Sequence, residues 1–577
     1  MCMKINAMNN YLVKCLVFGF VFLFFTLQVF AQKPKNKKIE YTSKTLYVNE
    51  VLGPKVKVLK EDVTFFHDGA TMYCDSAYYN DSENFFDAFG NIQLIKPTEK
   101  DTVYLYGDTL HYSGKDKMAK VRNNVRLVKD SLVMTTNNLN YDLSKNIGNY
   151  FDGGRTINHR DTITSRLGYY YSDDNMLFFK DSVVVKNPKF ILYSDTLKHH
   201  TKTEISTLLG PTRIISDSNY IYSERGWYNH DKNVARFYKN SLLKSKEHTL
   251  TGDSLYYDRN NGIGMGFRNV VMTDTLQKMI LTGNYGIFNE KTERSLMTDK
   301  ALFIQITEKD SLYMHADTLR AFNDSVKIDS LYRKFRVVQA YNKVKIYKTD
   351  FQAKCDSLIY SFKDSVMFFY TKPVIWSEEN QLTAKLIRVA TKKNEVEKVY
   401  MDENAFIISK SDSVRYNQII GKNMTGFVKD RALYKVEVRE DGKVTYFIKD
   451  DAKSLIGVNK IECKDMNIFL ENKKIDKIWF YTKPKATMYP PLTLPDEDLK
   501  YPGFVWYSAN RPNSKKDVFI WNKDEEINTS LPEKKDKKEK KNKNNIKNKS
   551  DKINNDINQN KNNSNIKDRK DKNLDNK

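Results

Sequence analysis

Residues 85–129 decide the fold, and they read FFDAFGNIQLIKPTEKDTVYLYGDTLHYSGKDKMAKVRNNVRLVK. Apolar and polar side chains alternate through this stretch, so that Ile92 and Leu94 share one face of a chain segment, as do Leu110 and Tyr112. A period of two is the pattern of a β-strand with one buried face. Clusters of Ser, Gly, Lys and Asp separate the alternating runs and are typical of tight hairpins. The stretch therefore predicts consecutive antiparallel strands.

Two short phrases recur along the chain, which is the signature of a repeat protein. The first is close to [TSC]-x-D-x-L-x-Y and has an acidic centre, at Asp75, Asp108, Asp195, Asp253, Asp317 and Asp356. The second is an aromatic residue followed by x-G/N-N/D-V-x-V, as in residues 89–94 and 122–127. The phrases alternate at steps of roughly 30 residues, which predicts two strands per repeat and about 13 repeats. No window within residues 40–485 has a convincing helical period.

A β-repeat that cannot bury its own apolar face must stack on its neighbours. The sequence therefore predicts an all-β fold, an elongated β-jellyroll or folded-sheet solenoid. Gly90, Asn91, Gly107 and Asn124 are expected to let the strands bend midway, since Gly and Asn tolerate backbone conformations that other residues avoid. A sheet folded lengthwise has an apolar inside, which predicts a groove open along one side and at both ends.

The inward side chains of this predicted groove are the candidate ligand-binding residues. They are Ile92, Leu94, Leu110, Tyr112, Val125, Leu127, Leu139, Tyr141, Val183, Val185, Leu197, Leu255, Tyr257, Val270 and Met272. For each residue alone, ordinary core packing without a ligand explains the pattern equally well, so the hypothesis of a groove depends on the whole set.

The N-terminus has the order of a secretory signal. A basic start precedes the uncharged run CLVFGFVFLFFTLQVF at 15–30, and small or modest residues precede a cleavage site expected after Ala31. Residues 1–31 are therefore predicted to be a cleaved signal peptide, with a retained anchor as the alternative because the run is nearly long enough to span a bilayer. The mature chain is expected in the periplasm, in association with the inner or outer membrane or free of both.

Composition divides the rest of the chain. The 577 residues carry 95 Lys and Arg against 72 Asp and Glu, a formal charge of +23. Residues 32–485 are the predicted repeat domain, and residues 486–532, rich in Pro and containing Trp506 and Trp521, are predicted to cap the last strand because Pro guards sheet edges. Docking to a membrane partner is the alternative. Residues 533–577 are Lys- and Asn-rich without an aromatic residue and are expected to be disordered, serving either as a solubilising extension or as a polycationic arm.

Catalysis and cofactor binding are not expected. Cys74, Cys355 and Cys463 lie in strand-like patterns without C-x-x-C spacing, and are predicted to be small buried apolar residues. The repeated Asp residues are expected to bond their own backbone in turns rather than to form a calcium ladder. His199, His200 and the segment 159–161 are predicted to be surface features, since the histidines form no metal-binding motif. The predictions are therefore no enzyme activity, no cofactor, no metal and no nucleic-acid partner.

The alternating phrases, G-N-V-x-[VIL] and A/G-D-x-L-x-Y, resemble the OstA-like (organic solvent tolerance) family over residues 40–485. This resemblance implies a periplasmic part of a lipopolysaccharide transport bridge: a twisted β-jellyroll that holds lipid acyl chains inside and leaves the sugar outside. It also implies end-to-end joining, through exposed strand edges, to related β-jellyroll domains of inner- and outer-membrane components. Family bridge proteins are much shorter than this chain, which leaves open whether one copy spans the periplasm.

Two functions follow from different classes of protein. The first is a conduit in which lipopolysaccharide or a related amphiphile is shielded, since each methylene moved out of water gains about 0.8 kcal/mol. The second is a structural or adhesive surface solenoid that binds glycan or protein on its polar face and has a dry interior.

Overall fold

The computed structural model describes residues 38–48, 55–98, 101–308, 310–328, 331–393, 395–450, 452, 454–471, 474–491, 493–495 and 498–522. The predicted signal peptide, residues 1–31, and the predicted tail, residues 533–577, lie outside these ranges.

The described residues form a 38-stranded antiparallel sheet. Its first strands are β1 Glu40–Thr42, β2 Thr45–Val48, β3 Val56–His67, β4 Ala70–Asn80, β5 Phe85–Pro97, β6 Thr102–Ser113, β7 Met118–Lys129, β8 Leu132–Asp142, β9 Ile147–Tyr150, β10 Gly154–Asn158, β11 Asp161–Ser165, β12 Leu167–Tyr171, β13 Met176–Asn187, β14 Phe190–His200, β15 Ile205–Leu208, β16 Thr212–Ile215, β17 Asn219–Ser223, β18 Arg225–Asn229 and β19 Val234–Ser245. The remaining strands are β20 His248–Asp258, β21 Ile263–Asp274, β22 Met279–Asn289, β23 Arg294–Thr298, β24 Leu302–Gln305, β25 Leu312–His315, β26 Thr318–Ile328, β27 Leu331–Lys348, β28 Phe351–Ser361, β29 Val366–Tyr370, β30 Val374–Ser377, β31 Asn380–Thr383, β32 Leu386–Lys392, β33 Glu395–Lys410, β34 Tyr416–Lys429, β35 Ala432–Lys449, β36 Leu455–Glu471, β37 Lys474–Tyr481 and β38 Lys485–Tyr489.

A fold line crosses the sheet where pairs of consecutive residues have positive φ. Along the chain the pairs on this line are 61–62, 90–91, 123–124, 181–182, 239–240, 268–269, 299–300, 342–343, 371–372, 403–404, 440–441 and 482–483, and two further pairs, 68–69 and 430–431, lie in hairpin turns instead. Ladder register shifts at these points, for example between Phe89 and Ile92. Gly90, Asn91 and Asn124 thus bend the chain as predicted, because Gly and Asn adopt the left-handed region at low cost.

Gly107 differs from that prediction, since its φ is not positive. A Cβ at this position would lie 2.4 Å from Val121 Cγ1 on the neighbouring strand. The residue is therefore required for the close approach of a side chain rather than for a bend.

The fold line divides the sheet into two layers. Layer A contains β1, 63–67, 70–74, 92–97, 102–107, 125–129, 132–136, β10, β11, 183–187, 190–194, β16, β17, 241–245, 248–252, 270–274, 279–283, β24, β25, 344–348, 351–355, β30, β31, 405–410, 416–421, 442–449, 455–463 and β38. Layer B contains β2, 56–60, 76–80, 85–89, 109–113, 118–122, 138–142, β9, β12, 176–180, 196–200, β15, β18, 234–238, 254–258, 263–267, 285–289, β23, β26, 331–341, 357–361, β29, β32, 395–402, 423–429, 432–439, 465–471 and β37.

The apolar faces of the two layers pack against each other along the sheet. Phe65 of layer A stacks on Phe86 of layer B with ring centroids 3.7 Å apart. Farther along, Phe190 of layer A meets Tyr228 of layer B edge to face at 5.2 Å. The predicted all-β fold, a long sheet folded lengthwise around an apolar inside, is confirmed.

The repeated Asp residues lie at the fold line and are bonded differently from the prediction. Asn91 Nδ2 donates to Asp75 at 2.9 Å, and Asn124 Nδ2 donates to Asp108 at 2.7 Å. The same contact, 16 residues apart in sequence, recurs between Asn269 and Asp253. These carboxylates therefore accept from the Asn of the next strand, which fixes the bend, and the predicted bond to their own backbone is wrong at these positions.

Residues 498–522, here called the strap, run back over the outer face of layer A. The Gln418 side chain brackets the strap backbone, donating to Leu499 O at 2.7 Å and accepting from Tyr501 N at 3.0 Å. Gln381 makes the same pair of bonds to Val505 O and Tyr507 N, at 2.7 and 2.8 Å. Each amide imitates a neighbouring strand, so the strap is held at defined positions rather than by apolar contact alone.

The far part of the strap continues toward earlier strands. Arg511 Nε donates to Gln352 Oε1 at 2.9 Å, and Lys345 Nζ donates to Ile520 O at 2.5 Å. Single 3-10 turns, Ser508–Asn510 and Asp517–Phe519, lie in this part.

The structure differs from the predicted cap of the last strand. Residues 486–489 belong to β38 and residues 498–522 cover a sheet face, whereas β37 and β38 pair only with β36 within the described chain. At the other end, β1 and β2 pair only with β3. Pro-rich composition indicated a segment outside the ladder, but it did not indicate which surface the segment covers.

The described residues contain no α-helix, and hence none long and apolar enough to cross a membrane.

Candidate functional site

The candidate site is the interior between the two layers. All fifteen predicted groove residues point into it and belong to one hydrophobic core, and none is more than 7% exposed. Period-two alternation thus placed every one of these side chains on the inward face. Their role in binding a ligand stays a prediction.

The interior is filled, which differs from the predicted open groove. Leu94, Leu127 and Leu139 have no exposed surface, and rings from opposite layers are in contact at several points along the sheet. Side chains of the two layers interdigitate in the space between them and form one core cluster. An acyl chain would therefore have to separate the layers in order to enter.

Polar contacts tie the layers together along the mouth, the side opposite the fold line. Lys117 Nζ of layer B lies 2.6 Å from the Asp68 carboxylate at the end of layer A. Lys129 Nζ of layer A donates to Ser172 O beyond layer B at 2.7 Å. Such ties close the long side on which the sequence predicted an opening.

A buried cluster at the mouth joins β11 and β14 to β15 and β18. His230 Nδ1 lies 2.6 Å from Asp161 Oδ2, and His230 Nε2 lies 2.7 Å from Ser206 Oγ. Ser206 Oγ is also 3.0 Å from His199 Nδ1, and His199 Nε2 is 3.3 Å from Asn158 Nδ2. One proton assignment satisfies the Ser206 hydroxyl, with N–H on Nδ1 of His199 and the hydroxyl donating to His230. His230 Nδ1 and Asp161 Oδ2 are close but not aligned as a hydrogen bond.

The electrostatics of the cluster agree with that assignment. Burial, together with the neighbouring His230, lowers the pKa of His199 to about 3, so His199 is neutral. Burial alone would raise the pKa of Asp161, but the close contact and charge of His230 bring it below its usual value. Ser206 and His199 are fully buried, so the Asp–His–Ser order ties two layers together around a hydroxyl that already has two imidazole partners.

The prediction of surface features is wrong for His199 and Asp161, which are buried, and holds for His159, which is exposed. The missed signal was the alternation itself. His199 follows Leu197 by two residues, so the same rule that placed Leu197 inside also places this imidazole inside.

The cysteines are buried, as predicted. Cys74, Cys355 and Cys463 are free thiols on inward faces. Burial raises the pKa of Cys74 to about 12 and that of Cys355 above its ordinary range. Within the described ranges, no group of three or more His, Cys, Asp or Glu residues is arranged to hold a metal ion.

Comparison with known proteins gives one family. Residues 35–195 and 211–311 match the family described as OstA-like protein. No curated protein matches the chain.

The matching solved structures include that of LptH, the LptA homologous periplasmic component of the conserved lipopolysaccharide transport device from Pseudomonas aeruginosa. The identity is 13%, the match covers 20% of this chain and 82% of that chain, and the TM-score is 0.18. At this TM-score the likeness carries no argument. The family match alone confirms the resemblance indicated by the repeated phrases, and residues 35–195 and 211–311 are an OstA-like part of the chain.

Proposed function

We propose that the chain is a periplasmic lipid conduit, a component of a lipopolysaccharide transport bridge that shields acyl chains between its two layers. The observation that carries the proposal is an apolar interior shared by both layers and continuous from β3 to β36, in a chain with an OstA-like region. An amphiphile inside this interior would exchange contacts with Val, Leu, Ile and aromatic side chains at successive, chemically similar positions. Such uniformity favours sliding over trapping.

The packed interior sets a condition on this function. Lipid entry requires the mouth contacts to break and the layers to move apart, with acyl methylenes replacing the side-chain contacts that are lost. Because burial of one methylene stabilises by about 0.8 kcal/mol, a chain of a dozen methylenes could offset the loss of several such contacts.

Joining to related β-jellyroll domains by strand addition is the second part of the proposal. The outer edges of β1 and β2 and of β37 and β38 have no strand partner among the described residues. Exposed apolar side chains lie on these strands, for example Tyr47 and Val48 on β2 and Trp479 on β37. Unpaired edges of this kind accept an additional strand, so both ends, rather than only the N-terminal one, are candidates.

The packed interior also favours one alternative, a structural or adhesive surface solenoid without lipid cargo. A core already filled by its own side chains is what that class of protein requires. The two functions make different predictions about cargo.

Mass spectrometry of lipid extracted from the purified full chain tests the proposal. We expect stoichiometric lipopolysaccharide or a related multi-acyl amphiphile, enriched over the lipid that adheres to an unrelated basic protein purified in parallel. Extracts indistinguishable from that control would leave the solenoid function as the better explanation.

A further inference from the structure

The interior contains small cavities, and one of them lies beside a buried charge. A cavity of about 30 Å³ lies between the layers near the mouth, with room for a few water molecules at most. Its apolar wall comes from both layers and includes Leu250, Met272, Met279, Leu281, Phe288 and Phe303. Its polar end is formed by His248, Asp274, Ser295 and Arg336.

Part of the apolar wall lies close to solvent. Met272, Leu281 and Phe288 are 6–7% exposed, whereas equivalent inward residues such as Leu105 and Leu127 have no exposed surface. Methionine side chains are flexible and polarizable, so they can repack around an inserted group at low cost. This wall can therefore yield to an inserted acyl chain.

Arg336 of layer B supplies an unusual charge at the cavity. Its side chain is only 5% exposed, and Nη1 donates to Glu293 O at 3.0 Å and to Asn323 Oδ1 at 3.3 Å. Nε is buried without a hydrogen-bond partner. A buried cation with an unused donor is costly unless an anion completes it.

The nearby carboxylates have other partners. Glu293 accepts from Asn323 at 2.5 Å and lies 3.3 Å from Lys334 Nζ. Asp274 accepts from Gln277 N at 2.9 Å and lies 3.8 Å from His248 Nδ1. Asp274 and Arg336 line the same cavity from opposite layers, and no hydrogen bond joins them.

We propose that this cavity is the place where an amphiphile with an oxyanion head first inserts one acyl chain between the layers. The carboxylate or phosphate accepts from Arg336 at the mouth, and the chain displaces Met272, Met279 and Phe288 toward the interior. The inference rests on the proposed function, because it names the point of entry for the cargo. Guanidinium groups suit both heads, since their donors match the spacing of two oxygens in a carboxylate or a phosphate.

Fluorescence of cis-parinaric acid, an anionic polyene chain, tests the site on the full-length protein. We expect saturable binding that Arg336→Gln weakens at least tenfold, while binding of the corresponding uncharged parinaryl alcohol changes less than twofold. Competition with a free fatty acid and with a phosphatidic acid distinguishes a carboxylate head from a phosphate head.

Arg259→Gln is the matched control. Arg259 is also a layer B arginine at the mouth, but it donates to Lys189 O at 2.8 Å and does not line the cavity. A second variant, Ala321→Val, adds volume to the cavity wall without changing charge and is expected to weaken both probes equally. Circular dichroism checks that each variant is folded. Equal effects of the two arginine substitutions, or no difference between acid and alcohol in Arg336→Gln, would overturn the site.

The result separates this inference from the proposed function. If lipid co-purifies with the chain but parinaric acid binding does not depend on Arg336, the proposed site is refuted and the proposed conduit function is not. Binding that depends on Arg336 without any co-purifying lipid supports a local amphiphile site and contradicts the conduit.

Discussion

Two regions of layer A are held in different ways. In the strapped region, residues 312–463, the outer face is covered by the strap, so that Trp376 and Gln381 on this face have no exposed surface. In the bare region, residues 56–283, the corresponding face is open, and Tyr73 is 41% exposed. There, polar ties across the mouth hold the layers, such as Asp68 with Lys117. The strapped region also has a contact across its mouth, Arg431 with Asp350. Its additional cover from outside is what the bare region lacks, which makes the bare region the part in which the layers can separate.

Removal of the strap is expected to have the largest effect. Truncation after Tyr489 would expose Trp376, Phe406 and Phe447, each of which gains roughly 1.5–3 kcal/mol from burial. We predict that the free energy of unfolding falls by about 5 kcal/mol or more, and that the fall is confined to the strapped region. Hydrogen exchange should show reduced protection of the amides in β30–β35 and unchanged protection in β5–β8. Truncation after Asn522 keeps the strap and is the control, and equal loss of protection in both regions would contradict the division.

Acid is expected to loosen the bare region first. His199 has a pKa of about 3 in the fold against 6.5 in an unfolded chain, so the unfolded state binds the proton more readily. Stability is therefore complete above pH 6.5 and falls as the pH drops toward 3, by about 1.4 kcal/mol per pH unit. Urea unfolding at pH 7 and pH 5 should differ by about 2 kcal/mol.

His199→Gln should remove most of this pH dependence. The matched control is His111→Gln, because His111 is a half-exposed histidine beside Asp87 on the outer face of layer B. An unchanged pH dependence in His199→Gln would show that the buried imidazole is not the group that titrates.

The glutamine clamps should have a smaller effect than the whole strap. Gln381→Ala leaves Val505 O and Tyr507 N without partners, which costs roughly 1–3 kcal/mol when both groups are buried. Limited proteolysis should then cut the strap several-fold faster. Gln93→Ala, on the bare outer face of the same layer, should change neither stability nor proteolysis, and equal effects would mean that the clamp is not specific.

Changes at the fold line should have the smallest effect in both regions, slightly larger at Asn124, which also donates to Asp108 at 2.7 Å. Asn124 and Asn342 both have positive φ, at 52° and 62°. Replacement of either by Ala is expected to cost about 1 kcal/mol, since the short polar side chain of Asn stabilises the left-handed conformation and the methyl group of Ala does not. Thermal unfolding of the two variants measures this, and a large difference between them would mean that the bend is not a shared feature.

The comparison also explains what the sequence could and could not predict. Alternation of apolar residues predicted the inward face throughout, because each strand supplies its own period. In the strapped region, five consecutive residues, Phe351–Cys355, are all buried. Local alternation predicts that Gln352 and Lys354 are exposed to solvent. They are instead covered by strap residues more than 150 positions later in the sequence, such as Arg511 over Gln352.

The local alternation of residues also could not predict that polar contacts close the mouth. Contacts such as Lys129 with Ser172 join positions 43 residues apart and depend on where each hairpin ends. Likewise, whether side chains fill the interior depends on how the two apolar faces interdigitate. Period-two alternation predicts only that these faces lie against each other.

Photo-crosslinking in cells tests the central claim, that the interior receives acyl chains, most directly. A benzophenone side chain would replace Leu110, Val125 or Leu255 inside, and Tyr73, Tyr104 or Tyr193 on the bare outer face as controls. We predict lipid adducts at the three interior positions and none at the three outer ones. Adducts to protein alone at the interior positions, or lipid adducts equally frequent on both faces, would contradict the account.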